Sequence, residues 1–102
     1  MSEFNLEAIV NNVRISVSCR ESSPGFGPTA IFLHGWFDSQ KTWDLVVSKV
    51  NNCNAVTIDF PGFGKSWPLP TAMTTLSVYS EILTQVLEQL PKPRYVVAHS
   101  MG

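Results

Sequence analysis

The chain of 102 residues carries seven Lys and Arg against eight Asp and Glu, so it lacks the basic excess that binding to nucleic acid or to an anionic membrane surface requires. With 44% hydrophobic and 15% charged residues, its composition is that of an ordinary globular protein, and it holds no apolar run long enough to span a membrane. The acidic N-terminal stretch differs from the basic start of a secretory signal, so we expect a cytoplasmic protein. Its length predicts one domain at most, over 1–102.

The first half of the chain predicts a β-hairpin, a buried strand and a helix. The segments "FNLEAIV" and "VRISVSC" alternate apolar and polar residues on either side of Asn11-Asn12, which predicts the hairpin. After the loop "ESSPGFGP", the continuous apolar run "TAIFLHG" is typical of a strand buried on both faces. The segment "DSQKTWDLVVSKV" then predicts a helix, with Asp38 or Ser39 as its N-cap.

The second half adds two buried strands and a second helix. "NAVTIDF" and "RYVVAHS" are the strands, and "TTLSVYSEILTQVLEQL" predicts the helix, with an apolar stripe from Tyr79 to Leu90 and an end at Pro91. The order β-β-β-α-β-α-β predicts an α/β fold, in which a hairpin is followed by parallel strands with right-handed crossover helices. Chemistry in such sheets sits at the carboxyl ends of the strands, where "HGWF", "DFPGFGKS" and "HSMG" begin.

The segment "AHSMG" matches a nucleophile elbow, a tight turn between a strand and a helix. The elbow needs small residues two before and two after its nucleophile, because strand and helix approach closely there. Ala98 and Gly102 meet that need on either side of Ser100, although Ala98 carries one methyl group more than the usual glycine. We therefore predict Ser100 as a nucleophile.

The segment "LHGW" matches the other half of an acyl-transfer site, the loop that stabilises an oxyanion. Two preorganised donors are needed there. The residue after the nucleophile, Met101, offers one backbone N–H, and a loop after an earlier strand offers the second. Gly35 lets that loop turn tightly beneath the site, which makes the N–H of Trp36 the second predicted donor.

Metal and cofactor sites are not predicted. A phosphate-binding loop needs G-x-x-x-x-G-K-[ST] at the start of a helix, and only "GKS" is present, before Trp67 and Pro68. Cys19 and Cys53 stand in no metal-ligand spacing. We favour two reduced thiols, and a disulfide between them stays open.

In this order and each after its own strand, "LHGW", "DFPGFGKS" and "AHSMG" resemble the N-terminal portion of the α/β-hydrolase fold, in its serine esterase-like branch. The "HGW" form is similar to carboxylesterases of the pimeloyl-ester methylesterase type and to cofactor-free haloperoxidases. The resemblance implies a serine hydrolase that acts on a small-molecule carboxylic ester through an acyl-enzyme. Ser100 would be its nucleophile, since the dehalogenase and epoxide-hydrolase branches use aspartate at this place. His34 would be a structural residue of the "HG" turn.

The base and the acid of a catalytic triad are harder to find. His34 and His99 are the only histidines, and His99 is poorly placed because neighbours on a strand point to opposite faces. Asp59 ends a strand, but the family keeps a polar residue there for loop structure. The family order of serine, acid and histidine places both partners after residue 102.

The sequence is therefore expected to be a hydrolase domain truncated at its nucleophile elbow, with the chemistry belonging to the complete protein. The alternative is a catalytically inert fragment or a non-enzymatic interaction module, without the acid and the histidine. Such a fragment would self-associate through the exposed edge of "RYVVAHS". Two interpretations stay open for the aromatic residues near the site: they line an acyl pocket or simply cover the sheet end. They are Trp36, Phe37, Phe63 and Trp67.

Overall fold

The computed structural model describes residues 1–66 and 68–100, which form a five-stranded mixed sheet with the order β1-β2-β4-β3-β5. The strands are β1 Ser2–Val10, β2 Val13–Glu21, β3 Thr29–Leu33, β4 Asn54–Ile58 and β5 Arg94–Ala98. The helices of the described part are α1 Asp44–Val47 and α2 Leu76–Glu88, with 3₁₀ turns at Gln40–Trp43 and Thr71–Met73. The predicted α/β class and the element order are confirmed.

The hairpin forms around the predicted turn. Asn11 and Asn12 adopt φ values of 52° and 63°, and Val10 pairs with Val13 across the two-residue loop. Two consecutive positive φ values define the turn whose twist matches that of a hairpin, and asparagine tolerates them better than most residues. The asparagine pair therefore sets the register of β1 against β2.

The three remaining strands place their carboxyl ends side by side. β3 pairs in parallel with both β4 and β5, and Leu33 lies opposite Ile58 on one side and Ala98 on the other. Parallel neighbours in this register end at the same edge of the sheet. The loops after β3, β4 and β5 therefore start next to one another, as the sequence predicted.

The first predicted helix is shorter than its sequence pattern suggests. A 3₁₀ turn at Gln40–Trp43 leads into a single α-helical turn, α1. Of the two predicted caps, Ser39 is the one used, because its Oγ accepts from the backbone N–H of Lys41 at 3.3 Å. At the start of this turn Gln40 is held to β4 and to the loop after it: its Oε1 accepts from Thr57 Oγ1 at 2.6 Å, and its backbone N–H donates to Asp59 Oδ1 at 2.8 Å.

The second helix follows its predicted apolar stripe closely. Thr75 caps α2 through a 3.2 Å bond that its Oγ1 accepts from the Val78 N–H. The helix α2 packs on the sheet and buries three of its own side chains, Tyr79, Ile82 and Val86. Each buried aliphatic side chain of this size contributes about 1.5–3 kcal/mol to folding. Burial of this stripe therefore fixes α2 over the hairpin side of the sheet.

Two glutamines, Gln85 on α2 and Gln89 directly after the helix, also satisfy the outer backbone edge of β1. Gln85 accepts from the Ile9 N–H and donates to the Ile9 carbonyl, each at 2.8 Å. Gln89 donates to the carbonyl of Glu7 at 2.8 Å. Side-chain amides thus bond to backbone N–H and C=O groups of β1 that could otherwise pair with another strand.

The opposite edge strand, β5, differs from its sequence pattern. Its apolar run is typical of a buried strand, although an exposed edge is expected here for a truncated chain, and Tyr95, Val96 and Val97 are 61%, 50% and 39% exposed. An edge strand is covered only where other elements pack on its faces, and β5 has β3 as its one neighbour in the described sheet. The pattern of a buried strand therefore marks a surface that this chain leaves open.

Candidate active site at the carboxyl ends of the parallel strands

Ser100 lies directly after β5, at a point where the backbone turns sharply. The N–H of His99 donates to the Leu33 carbonyl at 3.1 Å, which extends the pairing with β3 one residue past the strand. Ser100 then adopts φ 59°. Only a few per cent of non-glycine residues have a positive φ, and such strain clusters at functional sites. The side chain of Ser100 is exposed at this turn.

Gly35 brings the loop after β3 against that turn. A Cβ atom on Gly35 would lie 3.1 Å from Ser100 Cβ and 3.3 Å from the His99 carbonyl oxygen. Contacts that short are tighter than nearly all real side chains make. The absence of a side chain at position 35 therefore allows the "HG" loop and Ser100 to come together.

Trp36, the predicted oxyanion donor, occupies the second position of a tight turn. The N–H of Asp38 donates to the Gly35 carbonyl at 3.3 Å, and Phe37 in the third position has φ 60°. A positive φ at the third residue alone is the geometry of a type II turn. The N–H of the second residue takes no part in the hydrogen bond that closes such a turn. Two further predicted site residues, Met101 and Gly102, lie outside the described residues, and Ala98 ends β5.

His34 is fully buried between the loops after β3 and β4. Its Nε2 accepts from the Phe60 N–H at 2.9 Å, so the proton of the neutral ring sits on Nδ1, which lies 2.7 Å from the Gly35 carbonyl. The rings of Phe60 and Phe63 pack edge-on at centroid distances of 4.9 and 5.7 Å. Both ring nitrogens are therefore engaged with backbone, and neither is available to take a proton from Ser100.

Asp59 uses its carboxylate to join the same two loops. The buried side chain accepts from the Gln40 N–H and the Gln40 Nε2, both at 2.8 Å, and from the Lys65 N–H at 3.0 Å. A Cβ on Gly64 would overlap the carboxylate, so position 64 must be glycine for the loop to wrap around it. The carboxylate is thus surrounded by donors from the loops.

Gln40 is a site residue that the sequence reasoning missed. It is 3% exposed, and its Oε1 accepts from Thr57 Oγ1 at 2.6 Å and from Arg20 Nε at 3.1 Å. A glutamine after an N-cap reads as a solvent-facing residue, because nothing in the local pattern shows that this turn faces a sheet. The sequence offered one signal: the apolar run "NAVTIDF" contains two polar residues, Thr57 and Asp59, and buried polar side chains need hydrogen-bond partners.

The polar side chains of the "GKS" segment contact other parts of the fold. Ser66 Oγ donates to the Asp59 carbonyl at 2.6 Å and accepts from the Ser18 N–H at 2.9 Å. Lys65 Nζ pairs with Glu3 Oε1 at 2.7 Å, and this hydrogen bond holds the pKa of the Glu3 carboxyl below its usual value. Both polar side chains of the segment therefore hold the loop after β4 onto the hairpin.

Aromatic rings cover this end of the sheet in edge-to-face contacts. The ring of Trp36 lies 5.1 Å from that of Phe63 and 5.6 Å from that of Phe37. Trp36 is 43% exposed and Phe37 84% exposed, whereas Tyr79 is buried. Tyr79 donates its hydroxyl to the Pro61 carbonyl at 3.0 Å, and burial raises its pKa. We call Trp36, Phe37 and Phe63 the aromatic cluster; Trp67, the fourth predicted member, lies outside the described residues.

The cysteines are free thiols, and both are buried. Burial, with a smaller contribution from the Asp59 carboxylate, raises the pKa of Cys19 to about 12. Within residues 1–66 and 68–100, no three His, Cys, Asp or Glu side chains are grouped so that they could hold a metal ion. Among the same residues, no helix has the length and apolar character needed to cross a membrane.

Comparisons with known proteins show which family the chain is similar to. Residues 30–102 match the Alpha/beta hydrolase family. The chain is 32% identical over 89 residues to the pimeloyl-[acyl-carrier protein] methyl ester esterase of Vibrio vulnificus. These aligned residues cover 86% of the chain and 33% of that relative. It is 35% identical over 79 residues to an esterase of Mycobacterium tuberculosis, with 76% of the chain and 26% of the relative covered. The chain thus spans about a third or less of the curated relatives it matches.

Solved structures show the same fold at lower sequence identity. A haloalkane dehalogenase variant from Bradyrhizobium elkanii superposes with a TM-score of 0.80 at 22% identity, over 96% of this chain and 31% of that one. A thioesterase domain from the curacin biosynthetic pathway gives a TM-score of 0.75 at 20% identity, over 100% and 37% of the two chains. These neighbours differ in chemistry, so their likeness concerns the fold alone.

Proposed function

Because the chain belongs to the alpha/beta hydrolase family, we propose that the protein containing it is a serine hydrolase that cleaves a small-molecule carboxylic ester. The observation that carries this proposal is the position of Ser100: a serine with φ 59° at the carboxyl end of β5, packed against Gly35. A strained strand-to-turn serine in this family is the nucleophile of acyl transfer. Relatives that are named esterases support ester chemistry.

In the proposed mechanism, Ser100 Oγ attacks the ester carbonyl carbon while its proton passes to a base. The alcohol leaves with a proton, and water then cleaves the acyl-enzyme to release the acid and regenerate the serine. The backbone N–H groups of Trp36 and Met101 would stabilise the oxyanion of each tetrahedral intermediate. His34 is not the base, since both its ring nitrogens are already bonded. The family order assigns base and acid to positions after the nucleophile, so we propose that residues beyond Gly102 supply them.

The residues that support this arrangement do so through the backbone. Gly35 permits the close approach to Ser100, and His34 fixes the Gly35 carbonyl and the Phe60 N–H in one hydrogen-bonded unit. Ala98, two residues before Ser100, is small enough to leave room for a tight turn, as the elbow pattern requires. In this proposal these residues act on the geometry of the nucleophile or of the donor loop and do not touch the reacting carbonyl.

The experiment is covalent labelling of the full-length gene product. We expect a fluorophosphonate probe to label the wild-type protein once per chain and 4-nitrophenyl butyrate to be hydrolysed. Ser100→Ala should abolish both, with a loss of at least about a thousandfold in kcat/KM. Ser80→Ala, which removes an exposed hydroxyl of α2, is the matched control and should change neither. Labelling that survives in Ser100→Ala would contradict the proposal.

A second candidate applies to the 102 residues taken alone. The exposed run Tyr95–Val97 on β5 favours a non-enzymatic module that associates through this strand, because an open apolar edge is a template for pairing with another chain. In that case the isolated 102 residues would bind other chains and carry no esterase activity. The two candidates are compatible, since one concerns the complete protein and the other its N-terminal portion.

A further inference from the structure

Phe37 adopts a backbone conformation that is unfavourable for its side chain. It is the third residue of the turn closed by the Asp38 N–H and the Gly35 carbonyl, and its φ is 60°. This position strongly prefers glycine or asparagine, and for a bulky residue a positive φ is an outlier that costs stability. Among the described residues, the other non-glycine positions with positive φ are two asparagines and the candidate nucleophile: Asn11, Asn12 and Ser100.

Among residues 1–66 and 68–100, burial does not compensate for this cost. The Phe37 side chain is 84% exposed, so the ring contributes little apolar burial to folding. Its contacts are two edge-to-face partners, Trp36 at 5.6 Å and Phe63 at 6.2 Å between ring centroids. Glycine at position 37 would form the same turn without strain. A residue that breaks a local rule without a folding gain is expected at a functional site.

The position of Phe37 connects it with the candidate nucleophile. Two peptide units separate it from Gly35, so their Cα atoms are at most about 7.6 Å apart. Gly35 itself would touch Ser100 if it carried a Cβ. Phe37 and Trp36 therefore belong to the loop whose first residue, Gly35, packs against Ser100.

From these observations we propose that Phe37 is a specificity residue, whose ring binds the hydrocarbon chain of the ester substrate together with the rest of the aromatic cluster. This inference rests on the proposed function. Aromatic side chains offer large apolar contact areas, and the three members of the cluster carry no polar group apart from the indole N–H of Trp36. The substrate class that we infer is an ester with a hydrocarbon chain on its acyl or its alcohol side.

The test measures selectivity and stability in the same variant. Wild type, Phe37→Gly and Phe37→Leu full-length protein are assayed with two series of esters, one varied in acyl length and one in alcohol length. We expect Phe37→Gly to lower the kcat/KM ratio of hexanoyl to acetyl esters, or of hexyl to ethyl esters, by about tenfold. The series that responds identifies the side bound. Phe37→Leu keeps an apolar side chain and should retain most of the ratio.

Thermal unfolding separates recognition from structure. Phe37→Gly should unfold at the same or a higher temperature than wild type, because it relieves the backbone strain. Phe26→Gly removes another exposed phenylalanine, 55% exposed in the loop before β3, and should leave both ratios unchanged. Unchanged ratios in Phe37→Gly would overturn the proposal at any unfolding temperature, and a lower unfolding temperature beside them would assign Phe37 a purely structural role.

A binding measurement keeps this inference distinct from the proposed hydrolysis. In the Ser100→Ala background, decanoate and 1-decanol are titrated into proteins with and without Phe37→Gly. Weaker binding of either probe after Phe37→Gly supports the inference even if the wild-type protein shows no Ser100-dependent hydrolysis. Equal binding of both probes in the two backgrounds overturns it, whatever the outcome for hydrolysis.

Discussion

Asp59 binds Gln40 twice, through the backbone N–H and through the side-chain amide, with both distances at 2.8 Å. The pair connects the loop after β4 with the turn that follows the "HGWF" segment. Gln40 in turn accepts from Thr57 on β4 and from Arg20 on β2, so one glutamine joins three parts of the fold. The stability of the candidate site therefore depends on a carboxylate that has no direct part in the proposed chemistry.

Asp59→Asn is expected to destabilise the protein by about 3 kcal/mol. An asparagine side chain presents an NH₂ group to at least one of the N–H donors of Gln40 and Lys65, and leaves a buried donor unsatisfied. Urea unfolding of the full-length gene product would measure the change. The matched control is Asp38→Asn, a half-buried carboxylate with a single hydrogen bond to the Ser39 N–H, which should cost less than about 1 kcal/mol. Equal effects of the two substitutions would contradict the structural role of Asp59.

Gly64→Ala and Gly25→Ala form a second matched pair. Both glycines have a positive φ, 53° and 75°, but a Cβ at position 64 meets the Asp59 carboxylate while one at position 25 meets nothing within 4 Å. Gly25→Ala should therefore cost only the backbone strain, about 1 kcal/mol, and Gly64→Ala at least about 3 kcal/mol. Urea unfolding midpoints of the two variants decide the matter, and similar midpoints would rule out a steric role for the carboxylate.

The raised pKa of the buried Cys19 thiol predicts a loss of stability at alkaline pH. The thiol has a pKa of about 12 in the folded chain against an ordinary value of 9.0, so above pH 9 the unfolded state releases a proton that the folded state keeps. Ionisation then favours unfolding, and the free energy of unfolding should fall by about 1.4 kcal/mol per pH unit from this group, until the pH reaches the folded pKa.

The measurement compares wild type with Cys19→Ala in urea from pH 8 upwards. Tyr79, whose pKa burial also raises, contributes to both proteins and cancels in the comparison. The difference in unfolding free energy between the two should therefore shrink as the pH rises past 9. A difference that stays constant with pH would show that the Cys19 thiol ionises equally in both states.

The isolated 102-residue chain is expected to self-associate and to remain unlabelled by a fluorophosphonate. Val96→Lys places a charge on the open strand β5 and should shift the chain towards monomer in sedimentation velocity. The control, Ile9→Lys, also replaces an exposed apolar residue, but on β1, where Gln85 already bonds the backbone. A monodisperse wild-type monomer, or an equal effect of both lysines, would argue against association through β5.

Most of the fold was predictable from sequence because its signals are local. The asparagine pair at the hairpin, the cap at Ser39 and the apolar stripe of α2 each depend on neighbouring residues, and each appears in the structure. The exposure of β5 was recognisable only by asking which elements remain to cover it. Sequence patterns report what a segment can bury, and the rest of the chain decides what it does bury.

The candidate site was predictable in its outline but not in its supports. The "HGW" and "AHS" segments identified Gly35 and Ser100 as neighbours, and the Gly35 contact agrees with that arrangement. Gln40 was missed because its partners are distant in sequence: Thr57 lies on β4, and Asp59 follows that strand. The strain at Phe37 was also beyond reach, since a turn of this type normally carries glycine or asparagine and the sequence shows neither.

His34 has a consequence for motion as well as for shape. Its ring bonds to Gly35 on one loop and, through the Phe60 N–H, to the other, so a shift of one loop without the other would break one of these hydrogen bonds. Under the proposed function, a substrate that approaches Ser100 would meet a loop already held in place, with little left to reorganise during the reaction. We therefore expect the motion that admits the substrate in other parts of the protein.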